Sequence, residues 1–239
     1  MSEFTLALIA DIHGNTWALD AVLDDIRRRG VRVVVNLGDS LMGPLDPAGT
    51  ADLLLRRGIP SLLGNADREV LEGRQPQTRA RLNATHLAWL RDLPDTLTVG
   101  GLLLCHGTPE ADDQPLLETI TPLGARPATP EEIAARLSGT NARAVACGHT
   151  HLARLCRLPD GRSVLNPGSV GLPAYREAAP QPHAMQSGSP HARYAVLRRW
   201  GEEWTVEQLC VPYDWSAAAR EAQRQGRPDW AEWLTSGWA

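Results

Sequence analysis

A short apolar run near the N-terminus is followed at once by polar side chains. Residues 6–10 are Leu-Ala-Leu-Ile-Ala, and Asp11 and His13 come directly after them, before Gly14. An uninterrupted apolar run of this length is typical of a buried parallel strand. Because residues i and i+2 of an extended chain point the same way, the Asp11 carboxylate and the His13 imidazole should emerge together at the strand's carboxyl end. This pair predicts part of a metal site.

The apolar pattern alternates between strand and helix through the first third of the chain. It predicts strands over residues 31–36 and 59–63, and helices over residues 16–29 and 47–57. Alternating strands and helices favour an α/β fold with a parallel sheet, whose ligands gather outside the carboxyl ends of the strands. We therefore expect the polar residues that end these strands to lie close together.

Beyond residue 65 the pattern is less regular. We predict a helix over 67–93, hairpins over 96–105 and 152–165, a loop over 108–128, a helix over 130–137, strands over 142–147, 193–200 and 204–209, and C-terminal helices within 214–239. Residues 173–192 are rich in proline, alanine, serine and glycine, so we expect 171–193 to form a mobile insertion. The whole chain, 1–239, is predicted to be a single domain.

Composition and charge exclude several classes of protein. The formal net charge is −4, and no basic cluster is longer than residues 27–29, so we expect no polymeric nucleic-acid partner. Neither a charged-then-apolar leader nor an apolar run near twenty residues occurs, so we expect a cytoplasmic protein with no membrane partner. Lysine is absent, which excludes a P-loop lysine, Schiff-base chemistry and pyridoxal phosphate. The four cysteines are scattered without a C-x-x-C pair, so we expect reduced thiols packed in the core: Cys105, Cys147, Cys156 and Cys210.

Polar residues next to glycine recur at the predicted strand ends and form a set of candidate metal ligands. These residues are Asp11, His13, Asp39, Asn65, His106, His149 and His151. Seven ligands are too many for one ion, and a carboxylate can bridge two ions about 3.5–4 Å apart. Nitrogen and oxygen ligands without thiolate suit manganese, iron, zinc, cobalt or nickel. We expect two divalent transition-metal ions, manganese first among these, with Asp39 as the bridge.

The motifs D-x-H, G-D, G-N-x-D, H-G and G-H-x-H occur in this order over residues 6–171, and here the chain resembles the calcineurin-like metallophosphoesterase family. The resemblance implies a four-layer α/β/β/α sandwich of two mixed sheets flanked by helices. It also implies one metal on Asp11, His13, Asp39 and His151, and a second metal on Asp39, Asn65, His106 and His149. Catalytic roles are implied for Asp39, Asn65 and His106, with Asp67 supporting the ligands.

Within that family the chain is similar to small bacterial phosphoesterases, which share D-I-H-G-N, N-P-G-S-V-G and V-P-Y-D. It differs from protein serine/threonine phosphatases, which have a histidine where this chain has Ala66. The resemblance implies hydrolysis of phosphodiester or nucleotide phosphoanhydride bonds by a metal-bridging hydroxide, because two cations lower the pKa of a shared water and neutralise the phosphoryl oxygens. Phosphomonoesterase or protein phosphatase activity, and a non-catalytic metal-binding scaffold, are the alternatives.

Several residues have two interpretations. Asn15 and Arg68 are candidate substrate contacts for a small phosphorylated substrate such as a nucleotide, but Asn15 can instead cap the following helix and Arg68 can pair with Glu69 or Glu72. His86 has helical spacing with Trp89 and Leu90, so we expect a packing role rather than a catalytic one. A cluster of tryptophans suits either core packing, which we expect, or the interface of a homo-oligomer: Trp200, Trp204, Trp215, Trp230, Trp233 and Trp238.

Overall fold

The fold is described by a computed structural model that covers residues 4–179, 181–201 and 203–239. Within these residues the helices are α1 (Thr16–Arg28), α2 (Pro47–Arg57), α3 (Asn65–Leu71), α4 (Pro76–Arg79), α5 (Ala84–Arg91), α6 (Pro130–Arg136), α7 (Trp215–Arg224) and α8 (Pro228–Ser236). The strands are β1 (Phe4–Ile9), β2 (Val33–Asn36), β3 (Thr96–Val99), β4 (Leu102–Cys105), β5 (Glu118–Thr121), β6 (Gly124–Pro127), β7 (Ala144–Ala146), β8 (Arg154–Arg157), β9 (Ser163–Asn166), β10 (Ala174–Glu177), β11 (His183–Gln186), β12 (Ala192–Trp200) and β13 (Glu203–Val211).

Two mixed sheets form the centre of the molecule. The first has the order β13-β12-β1-β2, with β1 parallel to β2 and antiparallel to β12. The second has the order β3-β4-β7-β9-β8, in which β4, β7 and β9 run parallel. The parallel strands of each sheet place their carboxyl ends at one edge, where the predicted ligands follow β1, β2, β4 and β7.

Alternation along β1 explains the layering. Leu6 and Leu8 pack into a core that also contains Leu104 and Ala146 of the second sheet, whereas Ala7 and Ile9 pack on the opposite side against residues of α1 and α2. The far face of the second sheet packs on Ile133 of α6. Because successive side chains of a strand face opposite ways, β1 is apolar on both faces and is covered on both. The layers are helix, sheet, sheet and helix, as the sequence resemblance implied.

Helix termini follow the sequence signals closely. Asp46 caps α2 by accepting a hydrogen bond from the Gly49 amide, and Pro47 occupies the first helical position. Thr129 and Glu132 form the reciprocal capping bonds of α6. The Asp214 side chain caps α7. Helices α2 and α6 were predicted to within two residues at each end.

Four predictions of regular structure were wrong. The strand predicted over 59–63 is reduced to one parallel bridge between Asn36 and Ser61, because Pro60 has no N–H to continue a ladder. The helix predicted over 67–93 is three helices, α3, α4 and α5, interrupted at Gly73, which has a φ of +80°, and restarted at Pro76.

The other two errors are hairpins that the sequence analysis did not predict. The loop expected over 108–128 contains the β5–β6 hairpin, and the insertion expected over 171–193 contains the β10–β11 hairpin. Met185 of β11 is buried. The strands of these two hairpins contain few apolar residues, so the sequence shows no alternation over them.

The cysteines and tryptophans divide between core and surface. Cys105 and Cys147 are buried beside the second sheet, but Cys210 is exposed, so core packing was a wrong expectation for Cys210. Trp230 is buried, whereas Trp200 is 77% exposed. Among the residues covered by the structure, no helix has the length and apolar character needed to cross a membrane.

Candidate metal centre

All seven predicted ligands converge at the shared edge of the two sheets. Asp11 and His13 lie in the turn after β1, and Asp39 lies after β2. His106 follows β4, His149 and His151 follow β7, and Asn65 begins α3. Six of the seven come from loops at strand ends, the arrangement that the alternating pattern predicted.

One half of the cluster is formed by Asp11, His13 and His151, whose ligand atoms all lie within 4.8 Å of one another. The Nε2 atoms of His13 and His151 are 3.2 Å apart. His151 Nε2 is 3.6 Å from Asp11 Oδ1. A carboxylate and two imidazoles at these separations fit the ligand set of one transition-metal ion.

The other half of the cluster is centred on His106 and Asn65. The Asn65 side-chain oxygen lies 3.1 Å from His106 Nε2 and 3.0 Å from His149 Nδ1. Asp39 Oδ2 is 3.3 Å from His106 Nε2 and 3.8 Å from His13 Nε2. The Asp39 carboxylate therefore stands between the two halves.

Backbone carbonyls orient three of the histidines. His13 Nδ1 lies 2.9 Å from Met42 O, His106 Nδ1 lies 2.8 Å from Leu37 O, and His151 Nδ1 lies 2.6 Å from Leu172 O. An Nδ1–H that donates to a carbonyl leaves the Nε2 lone pair free, and hydrogen bonds of this kind fix the tautomer of metal-ligating histidines. The free Nε2 atoms are the ones that face the carboxylates.

Backbone strain is concentrated at the same residues. Among the described residues, the non-glycine residues with positive φ are Asp11, His13, Asp39, His149 and His151, with φ between 51° and 71°. Left-handed backbone is costly for residues with a Cβ, and it persists where the surroundings impose it, often at functional sites. The strain turns the side chains out of the strand direction and into one cluster.

Glycine allows the two halves to approach each other. A Cβ on Gly64 would lie 2.1 Å from Asp39 Oδ1, and a Cβ on Gly38, which has a φ of +101°, would lie 2.8 Å from His106 Nδ1. Asp39 Oδ1 accepts a hydrogen bond from the Ala66 amide at 2.9 Å. Only glycine leaves this space for the carboxylate.

Burial and mutual charge set the protonation of the cluster. Burial raises the pKa of Asp11 to about 8, and it lowers the pKa of His149 to about 4. Burial disfavours charge on His106 as well, but the Asp39 carboxylate outweighs it and raises the pKa of His106 to about 10. Burial likewise opposes ionisation of Asp39, yet His106 and His13 hold the Asp39 pKa below its usual 3.8. Without a cation, His106 is the main positive partner of the carboxylates.

A buried oxygen without a partner shows that a cation fits here. Asp11 Oδ2 is fully buried and accepts no hydrogen bond within the described residues. Such groups are rare because their desolvation is costly, and a bound cation would compensate this oxygen. The donor set of imidazole, carboxylate and amide oxygen, free of thiolate, suits divalent transition metals.

Asp67 supports the loop that carries Asp39. Its carboxylate is fully buried and accepts hydrogen bonds from the amides of Ser40 and Leu41 at 2.8 and 2.9 Å. Burial raises the Asp67 pKa to about 7, with the Asp39 charge adding to the rise. Asp67 lies behind the cluster, where the sequence resemblance placed it.

The two candidate substrate contacts are engaged elsewhere. The Asn15 side chain is fully buried, accepts from the Ala18 amide and donates to Gly171 O and the Tyr213 hydroxyl, so the helix-cap interpretation fits it better. Arg68 makes a bidentate pair with Asp112, with both N–O distances at 2.7 Å. Both side chains therefore have partners within the protein, although Arg68 also lines a pocket whose wall includes His106.

His86 has a structural role. It is 2% exposed, it completes the capping box of α5 with Asn83, and its Nε2 lies 3.0 Å from Asp52 Oδ1 on α2. The imidazole thus ties α5 to α2. The packing role expected from its helical spacing is the role it has.

A cleft of about 260 Å³ opens over the ligands, and much of its wall was not predicted. Tyr175, Arg176 and Glu177 of β10 and Trp230 and Trp233 of α8 line it. The Tyr175 ring stands 4.6 Å from His151 between ring centroids, and the Trp230 ring stands 5.9 Å from His13. These residues come from segments far along the chain, and no spacing in the sequence links them to the ligands.

A larger groove, of about 650 Å³, lies beside the start of β2 and the ends of α1 and α2. It contains none of the candidate ligands and no acidic side chain. The chemistry of the 260 Å³ cleft, and not the size of this groove, identifies the functional site.

Comparison with known proteins gives a consistent assignment. The sequence model of the calcineurin-like phosphoesterase superfamily domain matches residues 4–185. An uncharacterised protein of Methanocaldococcus jannaschii is 38% identical over 71 residues, which are 30% of this chain and 29% of that protein's length. The match thus spans less than a third of that relative.

Two solved structures share the fold. A metallophosphoesterase from Sphaerobacter thermophilus aligns over 98% of this chain and 99% of its own, with a TM-score of 0.74 at 22% identity. A candidate diadenosine tetraphosphatase aligns over 87% of this chain and 94% of its own, with a TM-score of 0.54 at 17% identity.

Proposed function

The chain belongs to the calcineurin-like phosphoesterase superfamily, and from this premise we propose that it is a phosphoester hydrolase that uses two divalent transition-metal ions to cleave phosphodiester or nucleotide phosphoanhydride bonds. The observation that carries the proposal is the position of Asp39 Oδ2, 3.8 Å from His13 Nε2 and 3.3 Å from His106 Nε2. One carboxylate oxygen facing ligands of both halves is what a bridging ligand requires.

The residues divide into two ligand sets. Asp11, His13, His151 and Asp39 would hold one ion, and Asp39, Asn65, His106 and His149 would hold the other. Two bound cations would lower the pKa of a water molecule and neutralise the phosphoryl oxygens during in-line attack. The chain supplies the neutral imidazoles, since burial lowers the pKa of His13, His149 and His151 below 6.5.

The cleft favours substrates whose leaving groups need little protonation. Ala66 lines the cleft and has no proton to give. Phosphodiesters with good leaving groups and nucleotide anhydrides are therefore the proposed substrates, ahead of alkyl monoesters such as phosphoserine. The fold shared with a candidate diadenosine tetraphosphatase is compatible with the anhydride class.

A substrate screen combined with metal analysis tests this proposal. Purified protein is analysed for bound metal and then assayed, with added manganese, on bis(p-nitrophenyl) phosphate, cyclic nucleotides, dinucleoside polyphosphates and phosphoserine. We expect about two ions per chain and turnover of aryl diesters or anhydrides well ahead of phosphoserine. Little bound metal and no turnover would instead identify a scaffold, and a preference for phosphoserine would identify a monoesterase.

A further inference from the structure

A second cavity adjoins the metal cleft. It measures about 280 Å³ and shares three wall residues with the cleft, Met42, Gln75 and Arg227. The remaining walls come from the loop after β2, from α4 and the turn after it, and from the end of α7: Gly43, Pro44, Gln77, Thr78, Arg81 and Gln225. We call this space the distal cavity. Because these three side chains belong to both walls, the distal cavity lies directly beside the ligands' cleft.

The two spaces differ in charge. The metal cleft is lined by three carboxylates, of Asp39, Glu69 and Glu177, and by two guanidiniums, of Arg176 and Arg227. The distal cavity has no carboxylate in its wall, and its ionisable side chains are Arg81 and Arg227. The metal cleft is acidic when no cation is bound. The distal cavity is basic whether or not the cleft contains cations. A cavity wall of one sign attracts ligands of the opposite sign.

Most of the positive charge comes from Arg81. Arg227 is neutralised by Asp229, whose carboxylate accepts from it in bidentate fashion. Arg81 donates to the backbone carbonyls of Pro44 and Leu45, and no carboxylate within the described residues lies at ion-pair distance from it. Glu221, the acid that feels the Arg81 charge, is paired with Arg224. The Arg81 guanidinium therefore has an uncompensated charge and N–H donors to spare.

The glutamines supply neutral hydrogen-bonding groups. Gln75 and Gln225 each donate an amide hydrogen to a glutamate outside the distal cavity, Glu69 and Glu221. Gln77 is exposed and makes no side-chain hydrogen bond in the described part of the chain. Amides of this kind pair with polar neutral groups such as a sugar hydroxyl or a base edge.

We propose that the distal cavity is a binding subsite for a second phosphoryl group of the substrate, remote from the one that is cleaved, which makes polyphosphorylated nucleotides the preferred substrate class. The inference rests on the proposed function, because the scissile phosphoryl group must occupy the metal cleft. A dinucleoside or nucleoside polyphosphate reaches both spaces, whereas a compact aryl diester fills only the cleft.

Charge substitution at Gln77 tests the subsite without disturbing its neighbours. Gln77→Glu places a carboxylate at the cavity wall and Gln77→Arg places a cation there. Gln114→Glu, an exposed position outside both spaces, is the matched control. Each manganese-loaded protein is assayed on diadenosine tetraphosphate and on bis(p-nitrophenyl) phosphate, and titrated calorimetrically with a non-hydrolysable methylene-bridged analogue of the tetraphosphate.

We expect Gln77→Glu to raise the Kd of the analogue and the KM for diadenosine tetraphosphate roughly tenfold. Gln77→Arg should lower the same Kd and KM several-fold. Changes of this size are expected for charges a few ångströms apart near a protein surface. The kcat/KM for bis(p-nitrophenyl) phosphate should stay within about twofold of wild type, and the differences should shrink as salt rises. Gln114→Glu should behave as wild type.

The alternative outcomes separate the two proposals. Equal effects of Gln77→Glu on both substrates, or no effect on analogue binding, would overturn the subsite. Turnover of the aryl diester with no binding of the analogue would overturn the subsite and leave the proposed function standing. Turnover of neither substrate would overturn the proposed function, and the calorimetric titration would still decide whether the distal cavity binds phosphate.

Discussion

Asp39 offers its two carboxylate oxygens to different neighbours. Oδ1 accepts the Ala66 amide hydrogen, and Oδ2 faces His13 and His106. An asparagine here must either turn its NH₂ toward the histidines, where a lone pair is needed, or turn it toward the Ala66 N–H, where two donors collide. A single atom exchange at this position therefore acts on both halves of the centre.

We predict that Asp39→Asn loses both ions. Metal content should fall from about two ions to fewer than one per chain, and kcat should fall more than about 100-fold, because the bridge supplies charge to both sites. Elemental analysis and steady-state kinetics measure these changes. Asp24 is an exposed acid of α1, and Asp24→Asn is the control, which should keep the metal content and the kcat of the wild type. Retention of two ions by Asp39→Asn would show that Asp39 is not the bridge.

The lack of an acid at Ala66 leads to a second prediction. A positioned acid contributes about 10²–10⁴-fold, and most when the leaving group is poor. We expect a plot of log rate against leaving-group pKa to be steep and negative for the wild type and shallower for Ala66→His. The same plot for His86→Ala is the control, because His86 is bound to Asn83 and Asp52 and should not affect the slope. A flat wild-type plot that His86→Ala makes steep would overturn this assignment.

At the scale of residues, the metal ligands could be predicted from the sequence where histidine, aspartate or asparagine occurs in a short motif with glycine. Seven candidate ligands were identified because each lies within three residues of a glycine in a short motif, and all seven meet in the structure. Asn15 and Arg68 have the right chemistry for a phosphate, but their hydrogen-bond partners Gly171 and Asp112 are distant in sequence. Proximity to such partners depends on the fold and leaves no local signal.

At the scale of elements, strong local signals gave correct boundaries and weak ones did not. The helices with a capping side chain and an apolar stripe, such as α1 and α2, were predicted well. The β5–β6 and β10–β11 hairpins were missed because their strands contain few apolar residues and their pairing is set by neighbours elsewhere in the fold. The second of these hairpins lines the metal cleft, so the missed element is also the one that shapes the site.

The contact of α1 with β12 gives a pH-dependent prediction. The Tyr194 hydroxyl of β12 donates to Asp25 Oδ2 of α1 at 2.6 Å. Burial opposes ionisation of Asp25, but hydrogen bonds from Tyr194 and Arg29 outweigh it and hold the Asp25 pKa below its usual 3.8. An acid with a depressed pKa stabilises the fold above its unfolded-state pKa, and that contribution is lost as the pH falls through the folded-state value.

We therefore expect Tyr194→Phe to lower the free energy of unfolding by about 1.5–3 kcal/mol at pH 7, the range for hydrogen bonds to charged groups. The difference from wild type should be smaller at pH 3. Denaturant titrations of metal-free protein at both pH values measure it. Tyr213→Phe is the control, since its hydroxyl accepts from the neutral Asn15 amide and its effect should not change over this range. An equal loss for Tyr194→Phe at both pH values would contradict the role of Asp25.

At the scale of the whole molecule, part of the first sheet could be predicted from the sequence, but the second sheet could not. Alternating strands and helices indicated that β1 and β2 run parallel. The second sheet pairs β4 with β7 and β7 with β9, strands that are separated by long stretches of other structure. Such pairing depends on packing between the sheets, which no local window contains, so the four-layer architecture came from the resemblance alone. The single domain over 1–239 stays a prediction.

The candidate metal centre lies between the two sheets. Asp11, His13 and Asp39 follow strands of the first sheet, and His106, His149 and His151 follow strands of the second. A ligand that binds only the folded state stabilises it, by about 3–4 kcal/mol at 100–1,000 times its Kd. Because unfolding separates the sheets and destroys both ligand sets, bound metal should raise the stability of the whole molecule.

We predict that manganese raises the free energy of unfolding, relative to chelator-treated protein, by about 3–4 kcal/mol for each bound ion when the metal is at 100–1,000 times the Kd of that site. Denaturant titrations at pH 7, with manganese or with EDTA, measure the increment. Asp39→Asn should gain much less, since it lacks the oxygen shared by the two halves, whereas Asp24→Asn should gain as much as wild type. Equal midpoints with manganese and with EDTA would show that the folded protein does not bind manganese in preference to the unfolded chain, which would contradict the proposed metal centre.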